Sequence, residues 1–182
     1  MIEAGSGVGQ SVAQSPACLG ARVAVWDLSQ EGAKRTKTIE AHEGSAWPFA
    51  VDVADETAVC ASTDDLTRIA GQIDFVVNCA GAVLSGGLEA MTLDQRRRSL
   101  EISVDRALNV CRAALSYLKE REQPCIVTVA SAALSAYSGG GGYGLGPGKT
   151  SLAALSEQMA VEWGGHPSER REPGAADDGR VG

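Results

Sequence analysis

"AGSGVGQSVAQSPACLGARVAVWDL", residues 4–28, joins a glycine-rich turn, a segment of helical length and a short apolar run that closes with an aspartate. The apolar run, 21–28, is rich in Val and Ala and has the length of a buried strand. The glycines ahead of it allow the backbone to turn tightly into a helix. This stretch therefore predicts the turn, helix and strand of an α/β fold.

The same alternation of short apolar runs and helical segments continues along the chain. Further strands are predicted at 46–53, 73–81 and 125–131. Helical periods cover 31–42, 56–70, 93–119 and about 150–163. Because apolar strands with few internal charges are buried on both faces, this order predicts a doubly wound α/β fold with a parallel sheet between two layers of helices.

Composition limits the class of protein. The chain has 182 residues, 44% hydrophobic and 21% charged, which fits one globular domain. A net charge of −7 without a basic stripe argues against a nucleic-acid partner. No apolar run approaches the roughly 20 residues that span a bilayer, and the first residues do not resemble a signal peptide. We expect a cytoplasmic protein without a membrane partner.

The cysteines and histidines predict neither disulfides nor a metal site. The five cysteines are odd in number, far apart and without a C-x-x-C pair, so we expect buried free thiols. His42 and His166 stand in polar segments without clustered carboxylates, and a solvated surface position is the preferred interpretation for both.

The glycine-rich turn and the aspartate after the first strand are candidate nucleotide contacts. Backbone N–H groups of such a turn can approach a pyrophosphate at the N-terminus of the next helix. Asp27 follows about twenty residues later, where its carboxylate can accept hydrogen bonds from a ribose diol and repel a 2′-phosphate. This favours NAD over NADP. The alternative is that Asp27 is a helix N-cap or loop residue.

Four motifs follow in a fixed order: "AGSGVG" at 4–9, "VDV" at 51–53, "NCAG" at 78–81 and "VASAALSAYSGGGGYG" at 129–144. Together they resemble the short-chain dehydrogenase/reductase family over about residues 4–163. The resemblance implies a Rossmann-like fold, a dimer or tetramer, and cofactor contacts from the following residues: Gly5, Ser6, Gly7, Val8, Gly9, Asp27, Leu28, Asp52, Val53, Asn78, Ala80, Gly81, Tyr143 and Lys149.

The resemblance also implies the catalytic residues. Ser131 would orient the substrate oxygen, and Tyr143, twelve positions later, would be the general acid or base. A phenol of pKa near 10 needs a neighbouring cation for this. The family has Lys four positions after Tyr, whereas here that position is Pro147 and the lysine is Lys149, about 240° from Tyr143 around a helix. Ser103 replaces the family's central Asn.

Two functions from different classes follow. The first is an NAD-dependent oxidoreductase of a small secondary alcohol or ketone. The second is an impaired or inactive remnant of the family, at most a dinucleotide-binding module. A phosphate-binding loop at "YGLGPGKT" is disfavoured, because the residue five positions before Gly148 is Tyr143 rather than Gly.

The two ends depart from the family pattern. Ile2 and Glu3 stand in place of the Thr-Gly that begins the family's turn, and only three residues precede "AGSGVG". We therefore expect the central first strand to be absent, with two facing strand edges unpaired. Residues 1–164 are interpreted as a partial domain and 165–182 as a disordered tail without the last strands. A one-base frame change near Gly164 can encode a peptide like the family's sixth strand, which DNA sequencing would test.

Overall fold

A computed structural model of the chain describes residues 1–36, 45–81, 89–131 and 142–163, with side chains in the last range from Pro147 onward. Its helices are α1 (Gly7–Cys18), α2 (Gln30–Thr36), α3 (Glu56–Ala70), α4 (Leu93–Leu100), α5 (Arg106–Leu118) and α6 (Gly142–Trp163). Its strands are β1 (Arg22–Asp27), β2 (Ser45–Ala50), β3 (Phe75–Asn78) and β4 (Cys125–Thr128).

The strands form one open parallel sheet. β1 pairs with β2 and β3 pairs with β4, both in parallel. Ile2 makes parallel bridges to Trp26 in β1 and to Asn78 in β3, and so joins the two pairs. The resulting order, β2-β1-Ile2-β3-β4, reverses direction at the centre of the sheet, as a doubly wound fold does. The predicted fold class is confirmed.

The short segment ahead of the glycine turn lies at the centre of the sheet. The expectation that the two facing strand edges are unpaired is therefore wrong, because this segment hydrogen-bonds to both. The Met1 carbonyl accepts from the Trp26 N–H at 2.8 Å, and the Ile2 N–H donates to the Val77 carbonyl at 3.0 Å. The Ala4 N–H donates to the Trp26 carbonyl at 3.2 Å. Parallel pairing uses alternate residues of each strand, so a few residues suffice to connect both neighbours. A run of full strand length is not found among residues 1–6.

Helices cover both faces of the sheet. In β1, Val23 and Val25 face a cluster with Ala13 and Ala17 of α1, while Trp26 faces the opposite side. This alternation is the two-residue period of a strand. The second cluster joins α3 and α5 to the sheet, and its buried members are Ile2, Trp26, Val51, Val53, Val59, Ile73, Val76, Ala80, Val110, Ala114 and Leu118.

Two helices differ from the predicted bounds. The predicted helix at 93–119 is interrupted by a π-helical turn, Glu101–Asp105, between α4 and α5. π turns inside helices are frequent at functional sites. α6 begins at Gly142 rather than near 150, so Tyr143 and Lys149 belong to one helix. α3 covers the predicted residues 56–70, with its N-cap at Asp55 and Gly71 in the left-handed conformation at its end.

The prediction of buried thiols is wrong for three cysteines. Cys111 is buried and Cys79 half-buried, but Cys18, Cys60 and Cys125 are exposed. Two of the exposed thiols lie on helices and the third begins β4, the last strand of the described sheet. His42, His166 and the predicted tail at 165–182 lie outside the described residues. Within the described ranges, no group of three potential metal ligands is found. No described helix combines the length and apolarity that crossing a membrane requires.

Candidate active site

The glycine-rich turn leads into the N-terminus of α1. The N-cap, Ser6, has an extended backbone, and its side chain makes no capping hydrogen bond. Gly7 has a positive φ of 53°, and a Cβ built there meets no atom within 4 Å. At Gly9 a Cβ would lie 2.2 Å from the Glu3 carbonyl oxygen, so a side chain cannot be accommodated. The turn thus faces open space in front of a helix N-terminus, which is the geometry that favours anions.

Asp27 ties the end of β1 to the glycine-rich turn. Its Oδ2 accepts from the Gly5 N–H at 3.0 Å and its Oδ1 from the Ser29 N–H at 2.8 Å. A Cβ at Gly5 would lie 2.6 Å from Oδ2, so glycine permits this approach. The N-cap of α2 is Ser29, whose Oγ accepts from the Gly32 N–H at 3.2 Å. Asp27 is therefore a loop anchor, and each carboxylate oxygen keeps capacity for a second donor.

Four of the predicted cofactor residues border one small pocket at the carboxyl ends of β1 and β2. They are Asp27, Leu28, Asp52 and Val53. Glu3 and Arg106 line the same pocket. A separate cavity of about 380 Å³ opens at the amino ends of the strands, beside Met1 and Phe75. In parallel sheets ligands bind outside the carboxyl ends, so the small pocket rather than the larger cavity lies where the predicted nucleotide contacts meet.

Glu3 and Arg106 were not among the predicted site residues. Glu3 has a φ of 52°, and within the described ranges it is the non-glycine residue with a positive φ. Its Oε2 accepts from the Gly81 N–H at 3.2 Å, and its Oε1 lies 3.7 Å from Nη1 of Arg106. The Arg106 side chain is 11% exposed, and its Nε has no hydrogen-bond partner among the described residues. The replacement of the family's Gly by Glu3 was the sequence signal for this pair.

The "NCAG" segment divides between the core and the edge of the sheet. The Asn78 side chain is buried, and its Nδ2 donates to Sγ of Cys111 at 3.4 Å. Its main-chain carbonyl accepts from the Val129 N–H at 2.9 Å. The structure therefore places the Asn78 side chain inside the fold, whereas Ala80 and Gly81 contribute main-chain groups at the carboxyl edge.

Lys149 reaches this edge from α6. The residue is 4% exposed, and Nζ donates to the carbonyls of Ala80 and Val129, both at 2.7 Å. Burial lowers the pKa of Lys149, while Glu3 and Cys79 oppose that shift. Because Ala80 follows β3 and Val129 follows β4, the amine lies between the carboxyl ends of two adjacent strands.

The predicted catalytic serine and tyrosine lie on the segments next to Lys149. Ser131 is half-buried and stands two residues after Val129, beyond the end of β4. Tyr143 is the second residue of α6, and its side chain lies outside the described part of the structure. Pro147 lacks the N–H that would bond to the Tyr143 carbonyl in a regular helix. Since both residues lie on α6, the six-position spacing places Lys149 about 240° around the helix from Tyr143, as expected for two helical residues, and their pairing stays an open question.

Ser103 lies in the π-helical turn and faces α6. It is buried, and its Oγ has no hydrogen-bond partner among the described residues. A Cβ at Gly148 would lie 2.7 Å from this oxygen, so the backbone of α6 packs directly on Ser103 one residue before Lys149. A buried hydroxyl without a protein partner is uncommon and indicates a bound water or a functional role.

The chain is similar in sequence to a known family and to characterised dehydrogenases. A family model described as enoyl-(acyl carrier protein) reductase matches residues 3–167. The chain is 33% identical over 170 residues to D-threitol dehydrogenase of Mycolicibacterium smegmatis, covering 89% of this chain and 62% of that protein. It is 28% identical over 159 residues to 2,3-dihydro-2,3-dihydroxybenzoate dehydrogenase of Bacillus subtilis, covering 87% and 57%.

A solved structure gives the same result for the fold. A short-chain type dehydrogenase/reductase from Mycobacterium ulcerans superposes with a TM-score of 0.80 at 24% identity, covering 88% of this chain and 60% of that one. The chain thus spans 57–62% of the length of the two curated relatives named above.

Proposed function

Because the chain belongs to the short-chain dehydrogenase/reductase family, we propose that it binds NAD and transfers hydride between nicotinamide and a small secondary alcohol or ketone. The observation that carries the proposal is the convergence at one edge of the sheet. The open glycine-rich turn, Asp27 and the buried amine of Lys149 all lie at the carboxyl ends of the parallel strands.

The residues at this edge fit a dinucleotide. The space in front of Gly7 at the N-terminus of α1 suits a pyrophosphate, with Gly5, Ser6, Val8 and Gly9 shaping the turn. Asp27, with Leu28 beside it, suits a ribose diol and disfavours a 2′-phosphate, which is why we propose NAD rather than NADP. Asp52 and Val53 suit the adenine side of the pocket, and Ala80 and Gly81 the side nearer to Lys149.

The catalytic roles follow from the chemistry of the side chains. NAD supplies the hydride acceptor when bound. Ser131 donates a hydrogen bond to the substrate oxygen, and Tyr143 exchanges the proton of that oxygen. The positive charge of Lys149 lowers the pKa of a nearby phenol and so makes Tyr143 able to act near neutral pH. Ser103 takes the place of the family's relay Asn, and its buried hydroxyl suits a hydrogen bond to water on that relay.

One observation favours the alternative of an impaired, nucleotide-binding protein. The Lys149 amine already donates to two main-chain carbonyls, and it is six positions rather than four from Tyr143. If those bonds hold the amine away from the phenol, Tyr143 lacks its cation. The dinucleotide contacts do not depend on this distance, so binding would survive without turnover.

The test is a hydride-transfer assay that follows NADH absorbance. The panel contains ketones with NADH, and secondary alcohols and vicinal diols with NAD, since two relatives are named for substrates of the diol and polyol type. Tyr143→Phe is expected to lose about 100-fold or more in rate. Tyr117→Phe is the matched control, because that hydroxyl contacts exposed Asp64 on the α3 surface. NADH binding without turnover of any substrate would leave the alternative.

Assembly, location and domain bounds are also proposals. A dimer or tetramer would form through the helices at 93–119 and 150–163, and the exposed apolar side chains of Leu93 and Val161 on these helices support it. Light scattering during gel filtration would test this, and a monomer would contradict it. The cytoplasmic location, the partial domain at 1–164 and a frameshift near Gly164 stay predictions.

A further inference from the structure

Glu3 stands at a backbone position that disfavours a side chain. Its φ of 52° lies in the left-handed region, where a Cβ is too close to the following carbonyl oxygen. Its carbonyl oxygen lies against the first turn of α1, where a Cβ at Gly9 would approach it to 2.2 Å. The Glu3 carboxylate therefore extends from a point that touches the proposed phosphate-binding turn.

Two groups contact this carboxylate directly. The Gly81 N–H donates to Oε2 at 3.2 Å, and Nη1 of Arg106 lies 3.7 Å from Oε1. The Lys149 ammonium lies nearby, next to Gly81, and bonds to two main-chain carbonyls rather than to Glu3. A backbone N–H and a guanidinium that converge on one anion make an anion-binding cluster. Here the anion is part of the chain itself.

The Glu3–Arg106 ion pair leaves one donor of Arg106 without a hydrogen bond. Nε of Arg106 is buried and has no hydrogen-bond partner in the described part of the chain. The Arg106 side chain is 11% exposed, whereas that of Glu3 is 36% exposed. The carboxylate is thus the more accessible member, and an incoming anion would meet it before it met the guanidinium.

We propose that Glu3 sets the affinity of the dinucleotide site by occupying, with its own carboxylate, the place of an anionic group of the ligand. This inference rests on the proposed function. Binding of a pyrophosphate at the α1 N-terminus then meets the negative charge of Glu3. Removal of that charge frees Arg106 to interact with the phosphates, and the dinucleotide binds more tightly.

The test is titration of NADH into the full chain, read by nucleotide fluorescence. Glu3→Gln keeps an oxygen that accepts from the Gly81 N–H but removes the charge. We expect its NADH dissociation constant to fall about 5- to 10-fold at low ionic strength, with a smaller change in high salt. Glu120→Gln, at the opposite end of α5, removes the same charge from an exposed position and should leave the constant unchanged.

A second variant guards against a folding effect. Glu3→Gly removes the charge and suits the positive φ, so it should also bind NADH more tightly and should raise the melting temperature of the ligand-free protein. Equal or weaker NADH binding by both variants, with wild type binding normally, overturns the inference alone. Folded wild type and variants that all fail to bind NADH overturn the inference and the proposed function together.

Discussion

Replacement of Asp27 by Asn separates its structural from its proposed binding role. Its two oxygens accept from the Gly5 N–H at 3.0 Å and the Ser29 N–H at 2.8 Å. An Asn amide has one oxygen, so in either orientation its NH₂ group faces one of these donors. A hydrogen bond to a charged group contributes about 1.5–3 kcal/mol, and the partly exposed site places the expected loss near 2 kcal/mol. That corresponds to about 4–8 °C in melting temperature.

The same substitution should change the preference between cofactors. Without the carboxylate, the 2′-phosphate of NADPH meets no like charge at the end of β1, and the ratio of NADH to NADPH affinity should fall about tenfold. Fluorescence titration with both nucleotides measures the ratio, and thermal unfolding measures the stability. Asp74→Asn, at the amino end of β3, is the matched control, because its carboxylate accepts only from exposed Gln72 among its described contacts.

The two measurements on Asp27→Asn distinguish its structural role from its binding role. A lower melting temperature with an unchanged affinity ratio would show that Asp27 is a loop anchor and nothing more. An unchanged melting temperature together with an unchanged ratio would show that neither the two hydrogen bonds nor the charge of Asp27 matters.

Three further predictions concern other described groups. Burial lowers the pKa of the Met1 amino group from 8.0 to about 6, so the unfolded chain binds this proton more tightly. Stability in urea should therefore rise by about 2 kcal/mol between pH 6 and pH 8, and N-terminal acetylation should remove this rise; a flat profile for the free amine would contradict it. Lys149→Met leaves two carbonyls without their donor and should lower the free energy of unfolding in urea by about 2 kcal/mol. It should also lower the hydride-transfer rate at least tenfold, and an unchanged rate would show that Lys149 has no part in catalysis. Gly148→Ala places a Cβ 2.7 Å from Ser103 Oγ and should lower the free energy of unfolding in urea by about 1–3 kcal/mol. An unaltered unfolding midpoint would show that α6 and the π-helical turn can move apart without loss of stability.

The elements that could be predicted are those whose signals are local. α3 has its N-cap in Asp55, whose side chain accepts from two N–H groups, and its end in Gly71. The four strands were found because parallel strands covered on both faces are short apolar runs. The glycine-rich turn and Asp27 were found by their spacing, and their contact through Gly5 agrees with that pairing.

The features that were missed depend on tertiary contacts. Residues 142–149 contain four glycines and a proline, a composition of low helix propensity, yet they begin α6. Close packing of Gly148 on Ser103 is one tertiary contact that holds this segment in place, and it requires glycine. Ile2 could not be predicted as a strand residue, since a pair of isolated bridges carries no period. The contact of the Glu3 carboxylate could not be predicted, because its donor, the Gly81 N–H, is 78 residues away in the sequence.

We propose above all that the carboxyl edge of this sheet is a working dinucleotide site. The most direct measurement is calorimetric titration of the complete chain with NADH and, separately, with NADPH. We expect saturable binding of one NADH per chain, tighter than that of NADPH. A chain that unfolds cooperatively on heating, and is therefore folded, but binds neither nucleotide would contradict it.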